Sequence, residues 1–227
     1  ISQIHNPDNI ESLKNAIYRI KFDAHFFLQM ILNIKKISNK NLKSVKFTKS
    51  GEKTKQIYNR LSFTLTDAQI RVLKEIRSDF VSGFPMNRLV QGDVGSGKTV
   101  VALLAASIAV DNDFQVAFMA PTEILAEQHY NELNKMFKDT EINCKLLIGR
   151  IKAQEKELIY SNTKNGTINL VIGTHALIQK DVVFNKLGLV IIDEQHRFGV
   201  DQRKILIKKG SHPHVLAMTA TPIPRTL

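Results

Sequence analysis

The chain has 227 residues, 43% hydrophobic and 23% charged, proportions that exclude a mainly disordered or collagen-like polymer. Its one cysteine, Cys144, excludes an internal disulfide and any cysteine-rich zinc cluster and fits a reducing compartment. Thirty-two Lys and Arg against 21 Asp and Glu leave a net charge of +11, the electrostatic footprint of a protein with a polyanionic partner.

No stretch reaches the ~18 apolar residues of a membrane span, since the longest candidate, 26–34, is broken by Gln29 and Asn33. There is no basic segment followed by an apolar one at the start, and the chain does not begin with Met. The expectation is therefore a piece of a longer, cytoplasmic protein without a membrane anchor.

Pro7-Asp8-Asn9 supplies a turn and an N-cap, after which Ile10, Leu13, Ile17, Ile20, Ala24, Phe27, Ile31 and Ile34 recur at spacings of three and four. This predicts one long linker helix within 1–37, its apolar seam about 37 Å long at 1.5 Å per residue. Phe26, Leu28, Met30 and Leu32 widen the seam, as expected of a helix that packs on a domain or joins two. A coiled-coil dimer is the alternative at this length, less favoured because the opposite flank lacks a regular pattern of paired charges.

Residues 38–60 carry Lys40, Lys43, Lys46, Lys49, Lys53, Lys55 and Arg60 against Glu52 alone. That composition reads as a basic flexible linker. From 61 onward, short apolar runs alternate with helical patterns. Strands are expected at 88–91, 115–120, 145–148, 169–173, 188–193 and 215–219, and helices at 99–110 and 123–137, with Thr122 as a cap. Leu189-Val190-Ile191-Ile192 is apolar without alternation, which suits a central parallel strand covered on both faces. The predicted fold is α/β: a doubly wound, mainly parallel sheet over 61–227, preceded by the long helix. Ligands of such sheets bind at the carboxyl ends of the strands.

Gly92-Asp93-Val94-Gly95-Ser96-Gly97-Lys98-Thr99 fits G-x-x-x-x-G-K-[ST] between a strand and a helix, where a phosphate loop must sit. Glycines let backbone N–H groups curl around an anion, and the helix start adds partial positive charge. Lys98 reaches the outer phosphates, and the Thr99 hydroxyl is suited to Mg²⁺. Asp193-Glu194 follows the apolar strand. A carboxylate there holds Mg²⁺ opposite Thr99, and its neighbour Glu194 orients and deprotonates an attacking water. ATP and Mg²⁺ are the expected cofactors. Two other features carry less. His212-Pro213-His214 brings two imidazoles together without a carboxylate or thiolate set, which argues against a metal site. Cys144, at a strand start, reads as a small buried hydrophobe.

On these residues the chain resembles the superfamily 2 helicases, and among them the bacterial helicases of branched DNA. In that resemblance Phe63-Thr64-Leu65-Thr66-Asp67-Ala68-Gln69 is similar to the adenine-recognising segment, with Gln69 reading the base edge and Phe63 and Leu65 flanking the ring. Asp193-Glu194-Gln195-His196 takes the place of the Mg²⁺ and hydrolysis motif, and His196 would relay the state of the nucleotide to Thr219. Thr219-Ala220-Thr221-Pro222-Ile223-Pro224-Arg225-Thr226-Leu227 is similar to the motif coupling hydrolysis to DNA movement, with Thr219 and Thr221 as its hydroxyls and no role settled for Arg225. Pro121-Thr122 and Gly173-Thr174-His175 match segments that touch the DNA backbone; for Thr122 a helix cap is an equally ordinary role.

The resemblance thus implies the first RecA-like motor lobe of an ATP-dependent DNA helicase that acts on branched or forked DNA in repair and recombination. Its other expected partners are a second RecA-like lobe and a wedge domain in the full-length protein. The transcription–repair coupling translocases and replication-restart helicases share the framework. Ser96 and Gln195 favour the branched-DNA helicases over the coupling translocases, where Phe and Glu are expected. A nucleotide-switched DNA-binding module is the reading outside the enzymes.

Overall fold

The computed structural model describes residues 2–40, 42–49 and 51–220. The chain divides into two compact units, Ile1–Leu42 and Lys43–Leu227. In the first, a short helix α1 (Ser2–His5) is followed by α2 (Ile10–Lys40). Asn9 starts α2 by a reciprocal cap: its Oδ1 accepts from the Ser12 N–H at 2.7 Å, and its own N–H donates to Ser12 Oγ at 3.2 Å. The helix runs three residues past the expected end. Ile17, Ile20, Phe27, Ile31 and Ile34 on its seam are all at least 40% exposed.

The second unit is a six-stranded sheet in the order β1-β6-β5-β2-β4-β3. The strands are β1 (Asn87–Gln91), β2 (Gln115–Met119), β3 (Cys144–Leu147), β4 (Leu170–Gly173), β5 (Leu187–Ile192) and β6 (His214–Thr219). Every neighbouring pair is parallel, so all carboxyl ends share one edge. The central strands alternate between two cores: Val116, Phe118, Leu189 and Ile191 face one, and Ala117, Met119, Val190 and Ile192 the other. The first core is closed by α3 (Glu52–Asn59), α4 (Asp67–Ser82), α5 (Lys98–Asp111) and α6 (Glu123–Phe137). The second is closed by α7 (Ala153–Lys164), α8 (Val200–Ile207) and a 3-10 turn at His175–Ile178. Helix α5 is buried from Val101 to Val110, the signature of a helix sunk against the sheet rather than laid on the surface.

The described residues of 38–60 do not form the expected flexible linker. Helix α2 occupies 38–40, and 43–49 is an extended strap followed by α3. Phe47 and Ile57 are fully buried. The strap is held by backbone bonds from Ser44 N to Gly83 O and from Phe47 N to Phe80 O. The Arg77 guanidinium of α4 donates to the carbonyls of Phe47, Thr48 and Lys49. The start of α3 has no side-chain cap of its own at Gly51; Asp111 supplies one from the end of α5, accepting from the Thr54 N–H at 3.0 Å and the Thr54 hydroxyl at 2.6 Å. Charge counting hid a two-residue pattern, with Val45 and Phe47 turned inward and Lys46 and Thr48 turned outward.

Candidate functional site

The phosphate loop is shaped by two left-handed glycines, Gly95 at φ 82° and Gly97 at φ 81°. Gly97 is also the N-cap of α5, and left-handed residues at a helix start are the backbone form from which anion-binding nests are built. A Cβ on Gly97 would come within 2.3 Å of Gln69 Nε2. Lys98 Nζ donates to the carbonyls of Gly92 and Asp93 at 2.7 and 2.8 Å, which keeps a cation inside the ring of amides. Thr99, one residue further, is half-buried. Gly92 N–H bonds to Thr219 O at the end of the neighbouring strand β6.

Gln69 stands in the first turn of α4, in a capping box with Thr66. Its Oε1 accepts from the Thr66 N–H at 2.9 Å and its Nε2 donates to Ser96 O at 3.0 Å. The amide expected to read adenine therefore ties the adenine-type segment to the phosphate loop, with one N–H and one lone pair left beyond these two contacts. Phe63 is 49% exposed, while Leu65 packs on the core.

Asp193 follows β5 and is 8% exposed. Its N–H bonds to Met119 O, its Oδ1 accepts from the Glu194 N–H at 3.0 Å, and its Oδ2 lies 2.8 Å from His129 Nε2. Glu194 turns the chain in a left-handed conformation at φ 46°, uncommon for a residue with a side chain. The turn aims its carboxylate at β6, where it accepts from the Thr219 hydroxyl at 3.2 Å and the Ala220 N–H at 3.3 Å. His196 Nδ1 is 3.4 Å from the same carboxylate. The acidic pair and the Thr219 segment thus form one bonded group. Thr221 and Arg225 lie outside the described residues.

Pro121 and Thr122 leave the end of β2, and Gly173-Thr174-His175 leaves the end of β4 beside it, joined by Ala120 N–H to Gly173 O. Thr122 is an exposed N-cap of α6, accepting from the Leu125 N–H at 3.2 Å, so its cap role is real. His175 is exposed, but Thr174 is 2% exposed and its hydroxyl has no partner. The backbone comes close at Gly173, where a Cβ would sit 2.2 Å from Leu147 O. Sequence reasoning missed His129. Its signal was a histidine on the otherwise apolar face Ala126, His129, Leu133, Phe137 of α6.

Loop, lysine and acidic pair share the carboxyl edge of one parallel sheet, which places the lobe among the phosphate-loop nucleotide-binding proteins. Within that class the chain belongs to the DEAD/DEAH box helicase family, whose family model matches residues 66–227. It is 50% identical over its whole length to the ATP-dependent DNA helicase RecG of Synechocystis sp., covering 27% of that protein. It is also 50% identical over its whole length to the RecG of Streptococcus pneumoniae, covering 34% of it. In three dimensions it is similar to a RecG bound to a three-way DNA junction, with a TM-score of 0.84 and 46% identity over 97% of this chain and 30% of that one. The chain therefore spans about a third or less of the length of these relatives.

Proposed function

We propose that this chain is the first motor lobe of an ATP-dependent DNA helicase that acts on branched or forked DNA in recombination and repair. One observation carries the reading: the order of functional groups along the sheet edge. The phosphate loop leaves β1, Thr219 ends β6, Asp193-Glu194 leaves β5, Pro121-Thr122 leaves β2 and Gly173-Thr174-His175 leaves β4, in the order in which those strands are paired. Nucleotide chemistry sits at one end of the row and nucleic-acid contact at the other, with the bonded Glu194–Thr219 group on the nucleotide side.

The residues fit ATP with Mg²⁺. The loop is a nest with a lysine inside it, and the Asp193 oxygens each keep a lone pair beyond the single contact described above. Gly92, Gly95, Ser96, Gly97 and Lys98 would hold the phosphates, Thr99 and Asp193 would hold the metal, and Phe63, Leu65 and Gln69 would receive the adenine. Mg²⁺ supplies charge neutralisation on the phosphates. Glu194 takes a proton from the attacking water, and its bonds to Thr219 and Ala220 pass its state to the coupling segment, with His196 on the same carboxylate. Pro121, Thr122 and His175 meet the DNA backbone, contacts that carry no base sequence, while buried Gly173 and Thr174 shape the turn that presents His175. A second RecA-like lobe and a wedge domain complete the motor in the full-length protein. No described helix is long and apolar enough to cross a membrane, which accords with a cytoplasmic place of work.

The test is ATP hydrolysis by the full-length protein on forked and on linear duplex DNA, with Lys98→Ala as control. Stimulation that prefers forks and disappears in Lys98→Ala supports the reading. Equal stimulation by linear duplex points instead to a double-strand translocase, and no stimulation by either DNA to a nucleotide-switched binding module.

A further inference from the structure

His129 has no part in the assignments above, yet it is the side chain that grips Asp193. It lies on α6, 8% exposed, with Nε2 at 2.8 Å from Asp193 Oδ2. An ionised carboxylate only accepts, so Nε2 carries the hydrogen and donates it. Nδ1 is buried without a partner, and the ring is steadied by Phe118, centroid to centroid 4.7 Å.

The neighbours on this face of α6 are Ala126, Leu133 and Phe137. A leucine here would continue the apolar face and would leave no nitrogen unsatisfied. Packing alone therefore does not account for an imidazole at this position; its one polar contact does. With Oδ1 taken by the Glu194 N–H and Oδ2 by His129, the carboxylate is fixed at both oxygens and cannot rotate about its Cβ–Cγ bond.

We propose that His129 is a positioning residue: by fixing the plane of the Asp193 carboxylate it sets how tightly the lobe holds the divalent cation that accompanies the nucleotide. The inference rests on the reading of Asp193 as a metal-holding carboxylate. Partners of this kind, one shell behind a metal site, typically govern affinity by about 10–100-fold. Because Thr122 caps α6, the same helix joins the proposed DNA-contacting segment to the metal carboxylate.

The test uses the full-length protein with a non-hydrolysable ATP analogue and Mn²⁺ as a spin-active probe. Mn²⁺ affinity is read by electron paramagnetic resonance, and analogue affinity without metal is read in chelator. His129→Leu keeps bulk and removes the donor; His129→Asn keeps an amide that falls short; His129→Gln places an amide nitrogen near the position of Nε2. Leu and Asn should weaken Mn²⁺ binding by about 10–100-fold with metal-free analogue affinity unchanged, and Gln should return it close to the unmutated value. If the Leu protein does not fold, the Asn and Gln pair decides. Unmutated Mn²⁺ affinity in Leu or Asn, or a Gln variant as weak as Asn, overturns the role of His129. Asp193→Asn separates the two layers: if it too leaves Mn²⁺ affinity unchanged, the underlying reading of Asp193 fails, whereas a weakened Asp193→Asn beside an unaffected His129→Leu removes the present inference alone.

Discussion

Glu194 has two partners on the last described turn, the Thr219 hydroxyl and the Ala220 N–H. Replacing it by Gln keeps the shape and one acceptor oxygen but removes the ability to take a proton. In the full-length protein Glu194→Gln should bind ATP and Mg²⁺ as before and lose turnover, while Asp193→Asn should weaken Mg²⁺-dependent binding. Fluorescent-nucleotide titration beside a phosphate-release assay separates the two; identical behaviour of both variants would refute the division of roles. His214 gives a pH prediction. It is fully buried between Phe47 and Phe80. Its Nδ1 accepts from the Met86 N–H, and its Nε2 donates to Val45 O at 2.8 Å. Burial pushes its pKa below the ordinary value, against smaller upward effects of Val45 O and Asp79. The sign follows: above ~6.5 folded and unfolded chains both hold a neutral imidazole, and below it only the unfolded chain takes the proton, so stability falls with pH. The slope is about 1.4 kcal/mol per pH unit until the folded imidazole also titrates. Melting curves between pH 8 and pH 5 should fall more steeply for the unmutated chain than for His214→Gln, which does not titrate there.

At the scale of elements, the strap and α3 decide whether 43–60 belongs to the lobe. Phe47 makes edge contacts with Phe80 at 4.7 Å and His214 at 4.9 Å. Its loss leaves a cavity in the main core, so Phe47→Ala should cost about 3–5 kcal/mol, read as a shift in the urea midpoint. A tethering linker would lose nothing. The six strands and the phosphate loop were legible in the sequence: β2, β4, β5 and β6 are buried along their whole length and largely apolar, β1 and β3 are shorter apolar stretches between helical patterns, and the loop composition follows from its chemistry. The strap and α3 were not legible, since three inward apolar positions (Val45, Phe47 and Ile57) among seven cations average to a polar stretch. Nor was the grip of His129 on Asp193, a pairing 64 positions apart in the chain. Gln69 was found by resemblance, but its bond to Ser96 O came only with the fold. Composition sees charge, and periodicity sees one element at a time. Contacts between elements need the packed sheet.

On the scale of the whole molecule, the proposed function makes the site described one face of a motor. In phosphoryl transfer an arginine finger contributes about 10³–10⁵ in rate by meeting charge that develops only in the transition state. Assayed as the 227-residue chain, which spans about a third or less of its relatives, binding and chemistry should separate. ATP should bind weakly, DNA should bind modestly and more weakly as salt rises, because each phosphate contact releases counterions. Forked DNA should not raise turnover. Robust DNA-stimulated hydrolysis by the chain alone would mean that one lobe completes its own site.

The outer position of β1 has a consequence for birth on the ribosome. This strand is paired with β6, Gln91 opposite Thr219, and with no other described strand. Synthesis at ~5–20 residues per second leaves β1 waiting many seconds for its partner. Strands β2, β4 and β5 find their neighbours earlier, since each pairing among them closes before β6 is made. The phosphate loop follows β1 directly, and its first N–H is anchored to Thr219 O. A motif made early in the growing chain thus acquires its full set of bonds only once β6 is in place. A nascent chain halted before His214 carries the whole glycine-lysine signature and should fail to retain on an ATP resin, whereas a halt well beyond Thr219 should retain. Translation itself sets the moment at which this lobe gains a nucleotide site.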